Sequence, residues 1–164
     1  QLKAHTVIRR YLALVAGHIP AQTITSWLVR DRGDGRRGSG AEGEGKRAVT
    51  HLEILETLPK HTLVRCQLET GRTHQVRIHL GEAGWPLCGE HVYDRPLHGA
   101  PFPDGSGAKR PLLHAARLGL IHPNTEEQLL WESPLPADFL AFLERWRKPT
   151  PEAEVALPEN DLLD

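Results

Sequence analysis

The segment from Leu68 to Leu80, L-E-T-G-R-T-H-Q-V-R-I-H-L, carries the side chains best suited to holding an anion. A strand pattern there leads through a glycine turn directly into a helical pattern. The first N–H groups of a helix lack partners within the helix, so together with Arg72 and His74 they can bind a phosphate or carboxylate. Arg77 projects one turn further along. A structural helix cap with surface arginines is the alternative, and the residues alone leave both open.

The strands around this segment predict an α+β domain. Val7–Val15 is almost continuously apolar, which predicts a central strand covered on both faces. Thr23–Val29 is β-branched and aromatic and predicts a second strand. Ala48–Leu58 and His61–Glu69 predict a hairpin across a two-residue turn. Between the second strand and this hairpin, residues 30–46 are almost entirely Gly, Arg, Asp, Glu and Ser, which predicts a mobile loop.

The second half of the sequence predicts two helices and two more strands. After the glycine turn, Val76, Leu80 and Ala83 share a helix face, with Thr73 expected to cap the first turn and Gly84 to end the last. Residues 89–111, rich in Gly and Pro, predict a long connection. The last elements are two strands and a closing helix that begins near Pro136: Leu112–Ile121, Gln128–Glu132, and the helix face formed by Phe139, Phe142, Leu143 and Trp146.

The composition and the distribution of charge indicate one domain without a membrane span and with a basic front half. The chain has 164 residues, 39% of them apolar, enough for one domain. No segment approaches the roughly 20 apolar residues of a membrane span, and no signal peptide begins the sequence, so we expect a soluble, cytoplasmic protein. Residues 1–80 hold 13 Lys/Arg against 7 Asp/Glu, a surplus of six, whereas residues 81–164 hold 7 against 14. A polyanion would prefer the basic front half, although an ordinary solvated surface is the simpler explanation.

Six ordered motifs in this sequence resemble those of RluA-type pseudouridine synthases. The segment T-G-R-T-H-Q-V-R-I-H resembles the family signature T-G-R-T-H-Q-[IL]-R-V-H, and the likeness runs from about residue 3 to residue 147. The other five motifs, in chain order, are Arg10–Val15 (R-Y-L-A-L-V), Gly45–Thr50 (G-K-R-A-V-T), Leu113–Ala115 (L-H-A), His122-Pro123 and Pro134-Leu135-Pro136.

The resemblance implies a fold and an activity. We expect a mixed, mostly antiparallel sheet flanked by helices, incomplete at its amino terminus, with the active cleft on the sheet face that carries Tyr11 and Arg77. Residues 1–148 would form the carboxy-terminal part of the catalytic domain, and residues 149–164 an acidic disordered tail. The implied activity is isomerisation of uridine to pseudouridine in RNA, without any cofactor.

The resemblance also implies site residues. Tyr11 matches the tyrosine that packs against the target uracil, and Arg77 matches the basic residue that pairs with the catalytic aspartate. The residues expected to bind RNA are Arg10, Arg72, Thr73, His74, Gln75 and Val76. Without the family, Tyr11 would be read as a core residue and Arg77 as a surface ion pair.

Two departures from the family pattern affect these expectations. The family's nucleophile is an aspartate in an H-R-L-D-x-x-T-S-G segment, which this sequence does not contain; neither Asp31 nor Asp34 is proposed as a substitute. The chain alone is therefore expected to be inactive. Glu90 stands where the family has the aspartate of G-D-x-x-Y, which puts the chemistry of that turn in doubt.

Two functions from different classes remain open at this stage. One is an isomerase whose amino-terminal half is absent from the chain, and the other is a non-catalytic RNA-binding remnant; the upstream gene sequence would separate them. Ribosomal RNA is the first expected partner and transfer RNA the second, for a monomer that binds neither a membrane nor a metal. His74 and His79 are five residues apart and do not share a helix face, which argues against zinc.

Overall fold

The first strand lies inside the sheet because nearly all of its residues are apolar. In the computed structural model, which describes residues 7–147, β1 spans Ile8–Ala16. Its Ala13, Leu14 and Val15 side chains are fully buried. It pairs with a strand on each side, which confirms the predicted central strand.

The other strands join β1 in one antiparallel sheet, and two helices pack against it. They are β2 (Gln22–Val29), β3 (Gly38–Gly40), β4 (Lys46–Thr57), β5 (His61–Leu68), α1 (Gln75–Glu82), β6 (Leu113–Ile121), β7 (Gln128–Glu132) and α2 (Ala137–Arg147). The strand order is β3-β2-β4-β5-β1-β6-β7. Every pairing within residues 7–147 is antiparallel. The predicted α+β class is therefore confirmed.

The two helices cover opposite faces of this sheet. Alternation along β1 turns Ala13 and Val15 towards α1, where they pack with Val76 and Leu80. Leu14 points the other way and packs in a second core cluster with residues of α2, including Phe139 and Leu143. We call these the α1 face and the α2 face. Both cysteines, Cys66 and Cys88, are free and buried.

The segment 30–46 is more ordered than its composition suggests. Residues 38–40 form β3, which pairs with Trp27–Val29 of β2. Backbone hydrogen bonds need no apolar side chain, so a composition argument could not detect this short strand. The prediction that these residues form only a mobile loop is wrong at this point.

Both ends of α1 use backbone conformations that glycine or a polar residue tolerates. The predicted cap at Thr73 is wrong: the N-cap residue is His74, at φ 56°, and it makes no side-chain cap bond. The predicted end is confirmed, because Gly84, at φ 92°, donates its N–H to the Gly81 carbonyl. The tail predicted over 149–164 lies outside the described residues. Neither helix of residues 7–147 is long and apolar enough to cross a membrane.

Gly81 supplies a test of how closely α1 packs. A Cβ at this position would overlap the carbonyl oxygen of Tyr93. This overlap should cost about 1–3 kcal/mol of the free energy of unfolding. Alanine inside a helix gains only about 1 kcal/mol over glycine, so we expect Gly81→Ala to be destabilising. Chemical denaturation measures the change. The control, Gly105→Ala, places its Cβ in open space and should change stability by less than about 0.5 kcal/mol; a stabilised Gly81→Ala would contradict the packing.

Candidate functional site

The turn between β5 and α1 is held by the buried amide of Gln75. Its oxygen accepts hydrogen bonds from Thr70 Oγ1 (2.8 Å) and Arg72 N (3.1 Å). Its nitrogen donates to Val49 O (2.9 Å) and Thr50 Oγ1 (3.0 Å). All four hydrogen-bonding positions of the amide are therefore used within the protein. Gln75 attaches the turn to β4, while the residues at positions 71–74 remain exposed.

A cavity of about 430 Å³ opens beside this turn. Four cationic side chains line it: Arg30, Arg37, Lys46 and Arg72. The remaining lining residues are Leu28, Val29, Gly45, Gly71, Thr73 and Ile78, and none of them is acidic. We call it the cation cavity. A concave surface with this charge attracts an anion from solution, as the sequence of the turn had suggested.

A second cavity on the α1 face contains Tyr11. It measures about 260 Å³, and Arg9 and Trp131 also line it. Arg9 Nη2 donates to Glu69 O (3.0 Å), and its guanidinium lies against Gly71 so closely that a Cβ there would overlap Nη1. Arg9 therefore connects the Tyr11 cavity with the turn that lines the cation cavity.

Arg10 lies on the opposite face of the sheet. Its Nε donates to Gln67 Oε1 (3.1 Å), and it lines a third cavity, about 530 Å³, with Arg65 and Arg117. Alternation along β1 separates it from Tyr11, because neighbouring residues of a strand point to opposite faces. Of the predicted site residues, Arg10 is the one that the structure does not bring together with the turn.

Arg77 is held by Glu90 in a two-bond ion pair. Its Nε and Nη2 donate to Oε2 and Oε1 of Glu90, both at 2.7 Å, and the carboxylate is fully buried. Burial alone would raise the pKa of Glu90, but the bonds from Arg77 and from backbone N–H groups outweigh it and lower the pKa. The backbone donors to Oε1 are the N–H groups of His91, Val92 and Tyr93. Glu90 thus closes its turn and orients Arg77 at the same time.

Tyr93 completes the surroundings of Arg77. The guanidinium carbon lies 5.2 Å from the centre of the Tyr93 ring, a cation–π arrangement. The Tyr93 hydroxyl forms a hydrogen bond of 2.8 Å with His74 Nδ1. Val76, next to Arg77, is buried in the core cluster against which Tyr11 packs. Tyr11, Val76 and Arg77 therefore belong to one face of the domain.

His79 ties α1 to the sheet. It is 1% exposed, and its two ring nitrogens form hydrogen bonds with Thr50 Oγ1 (2.8 Å) and Ser26 Oγ (3.0 Å). Burial lowers its pKa from 6.5 to about 4. The neutral imidazole therefore serves as a structural link between α1, β2 and β4.

Sequence reasoning missed four cations of this site. Arg9 was not singled out because the family motif begins at Arg10, although strand alternation places Arg9 on the same face as Tyr11. Arg30, Arg37 and Lys46 were assigned to a mobile loop or its end. Their abundance in a short segment was the available signal, but the composition could not locate them beside the turn at residues 71–73.

The fold is that of solved RNA pseudouridylate synthase domains. The same fold occurs in the solved human RNA pseudouridylate synthase domain containing 4, with a TM-score of 0.67 and 27% identity over 91% of this chain and 66% of that one. Human RNA pseudouridylate synthase domain containing 1 gives a TM-score of 0.65 and 28% identity over 80% of this chain and 56% of that one. Residues 1–82 match the family described as RNA pseudouridylate synthase. The chain belongs to this family.

Curated bacterial relatives agree with the family. Ribosomal large subunit pseudouridine synthase D of Nitrosomonas europaea is 41% identical over 162 residues, which cover 96% of this chain and 46% of that protein. The uncharacterized RNA pseudouridine synthase YlyB of Bacillus subtilis is 43% identical over 150 residues, 90% of this chain and 47% of that protein. The chain thus spans about half the length of these relatives.

The buried His79 predicts acid sensitivity. Its pKa is about 4 in the folded chain and 6.5 ordinarily, so the unfolded chain binds the proton between these values and the folded chain does not. Its contribution is complete above pH 6.5 and is lost as the pH falls towards 4, by up to roughly 3 kcal/mol. Denaturation midpoints measured across this range should show the loss. His79→Gln should flatten the profile, whereas His91→Gln, at an exposed position, should leave it unchanged; an equal slope in all three proteins would refute the assignment.

Proposed function

We propose that residues 1–148 form the carboxy-terminal part of the catalytic domain of an RNA pseudouridine synthase. The supporting observation is that Arg9, which lines the Tyr11 cavity, also lies against Gly71, which lines the cation cavity. One cavity suits the phosphates of a polynucleotide and the other suits a base. The names of the curated relatives favour ribosomal RNA as the substrate; transfer RNA remains our second candidate. We propose a monomer acting in the cytoplasm.

The reaction requires a base to leave the RNA stack. Unstacking costs free energy, which phosphate contacts with Arg72 and the other cations of the cavity would offset. Thr73 and His74 are exposed beside Arg72 and could contact the same backbone. Gln75 and Val76 are buried, so their contribution would be to position the turn. A contact from Arg10 would require RNA to reach the α2 face.

The chemical step exchanges one glycosidic bond for another. In the family mechanism the nucleophile is an aspartate of the H-R-L-D segment; the N1–C1′ bond of uridine breaks, the base turns, and a C5–C1′ bond forms while C5 loses a proton and N1 gains one. Tyr11 would lie against the uracil ring and help to move a proton. Arg77 binds Glu90 through Nε and Nη2, so within residues 7–147 this ion pair does not use Nη1, and a cation there would favour the ionised aspartate.

Loss of the modification from cells is the direct test of this function. Disrupting the gene that encodes this chain should remove pseudouridine from at least one position of ribosomal RNA, as measured by mass spectrometry of RNA fragments. Restoring the gene should restore the mark. If no pseudouridine disappears from ribosomal or transfer RNA, the catalytic proposal fails, and an RNA-binding function would have to be considered instead.

Tyr11→Phe tests the assigned tyrosine. The change keeps the ring and removes only the hydroxyl, so the core packing of Tyr11 is retained. In cells whose disrupted gene is restored with this variant, we expect the modification rate to fall about a hundredfold or more, as for the loss of an acid–base group. The chain's other tyrosine provides the comparison: Tyr93→Phe removes the hydroxyl that bonds His74 and should cost much less. Equal losses in the two variants would contradict the assignment of Tyr11.

Arg72→Gln tests the cation cavity. Removing one phosphate contact should weaken binding to single-stranded RNA and reduce the slope of log affinity against log salt by about 0.7. Fluorescence anisotropy at several salt concentrations measures both quantities. The control is Arg145→Gln, which removes an exposed cation from α2. A slope that changes equally in both variants would show that only total charge matters.

A further inference from the structure

One buried arginine helps to hold the segment that carries Arg30 and Arg37 against the rest of the domain. The side chain of Arg32 is 4% exposed. Its Nη2 donates to Asp34 Oδ2 (2.9 Å) and to the carbonyl of Arg95 (3.3 Å). Its Nε donates to both oxygens of Asp34 at 3.2 Å. One guanidinium therefore links its own loop to the connection that follows α1.

The last residue of α1 provides a second attachment. Glu82 Oε1 lies 3.7 Å from Arg32 Nη1 and accepts the N–H of Ser39 (2.9 Å). Its other oxygen accepts from the Ser39 hydroxyl (2.5 Å). Gly38 makes this approach possible, because a Cβ there would overlap Arg32 Cδ and crowd Glu82 Oε1. We call Arg32, Asp34, Glu82 and Ser39 the loop latch.

The latch is adjacent in sequence to two of the cations that line the cavity. Arg30 precedes it in the chain, and Arg37 lies between Asp34 and Ser39. The segment 30–46 contains six glycines, so without tertiary contacts its backbone would sample many conformations. Fixing that backbone before binding reduces the entropy that an RNA ligand must otherwise remove.

We propose that the loop latch is a positioning device, which holds Arg30 and Arg37 in place for the RNA backbone. This inference rests on the proposed RNA-binding function of the cation cavity. Asp34 and Glu82 then strengthen the binding of a polyanion although both are negatively charged. Their effect on RNA affinity is opposite in sign to the effect expected from Coulomb repulsion alone.

Charge-removing variants distinguish the two signs. Asp34→Asn and Glu82→Gln each remove a negative charge, which by itself would tighten the binding of a short fluorescent oligouridylate. The latch predicts weaker binding instead, by about threefold to tenfold. Glu42→Gln is the matched control, because it removes the same charge from an exposed position of the same segment. It should leave the affinity unchanged or slightly higher. Tighter binding by Asp34→Asn and Glu82→Gln would overturn the proposal.

A charge-neutral variant provides independent evidence. Gly38→Ala should push Arg32 away from Glu82 and lower the RNA affinity in the same range, with net charge unchanged. Amide hydrogen exchange reports on the latch without RNA: the N–H groups of residues 33–40 should exchange faster in all three latch variants, with the midpoint of thermal unfolding nearly unchanged. Unchanged exchange would overturn the latch. If exchange accelerates but the wild-type chain binds no RNA, the latch orders the loop, the proposed function fails, and the positioning role fails with it.

Discussion

The site depends on the amide of Gln75. A buried amide that makes all four of its hydrogen bonds has one permitted orientation, and here those bonds join the turn at Thr70 and Arg72 to the backbone and side chains of β4. Leaving a buried donor or acceptor unpaired would cost about 1–3 kcal/mol. These bonds fix the turn against β4 at the start of α1. The exposed residues at positions 71–74 are therefore available to a ligand.

The arginines and lysines of this domain have two roles: some form ion pairs that stabilise the fold, and others line the cation cavity. Arg77 and Arg32 are held by the carboxylates of Glu90 and Asp34, so much of their charge is neutralised locally. Arg30, Arg37, Lys46 and Arg72 line a cavity whose lining residues include no carboxylate. The basic surplus of the front half therefore becomes a localised surface, because carboxylates from both halves pair with selected arginines and leave others to line the cavity.

The ion pair with Arg77 also explains how the fold accommodates Glu90, where the family pattern has an aspartate. The longer side chain still reaches the N–H groups of its own turn and places both oxygens on Arg77. From the sequence alone, glutamate at this position put the chemistry of the turn in doubt. The geometry indicates that a glutamate satisfies the same turn, since a carboxylate with several donors can be buried as an ion.

The sequence by itself determined both helices, six of the seven strands within residues 7–147, the central position of β1 and the family, because burial patterns and motifs are local properties of the chain. It could not locate β3, whose pairing depends on backbone rather than side chains, or exclude a cap at Thr73. Only the tertiary structure decided that Arg9, and not Arg10, meets the turn, and that the cations of segment 30–46 lie beside Arg72. Those relations depend on which face each strand presents and on ion pairs between residues far apart in the chain, such as Arg32 and Glu82.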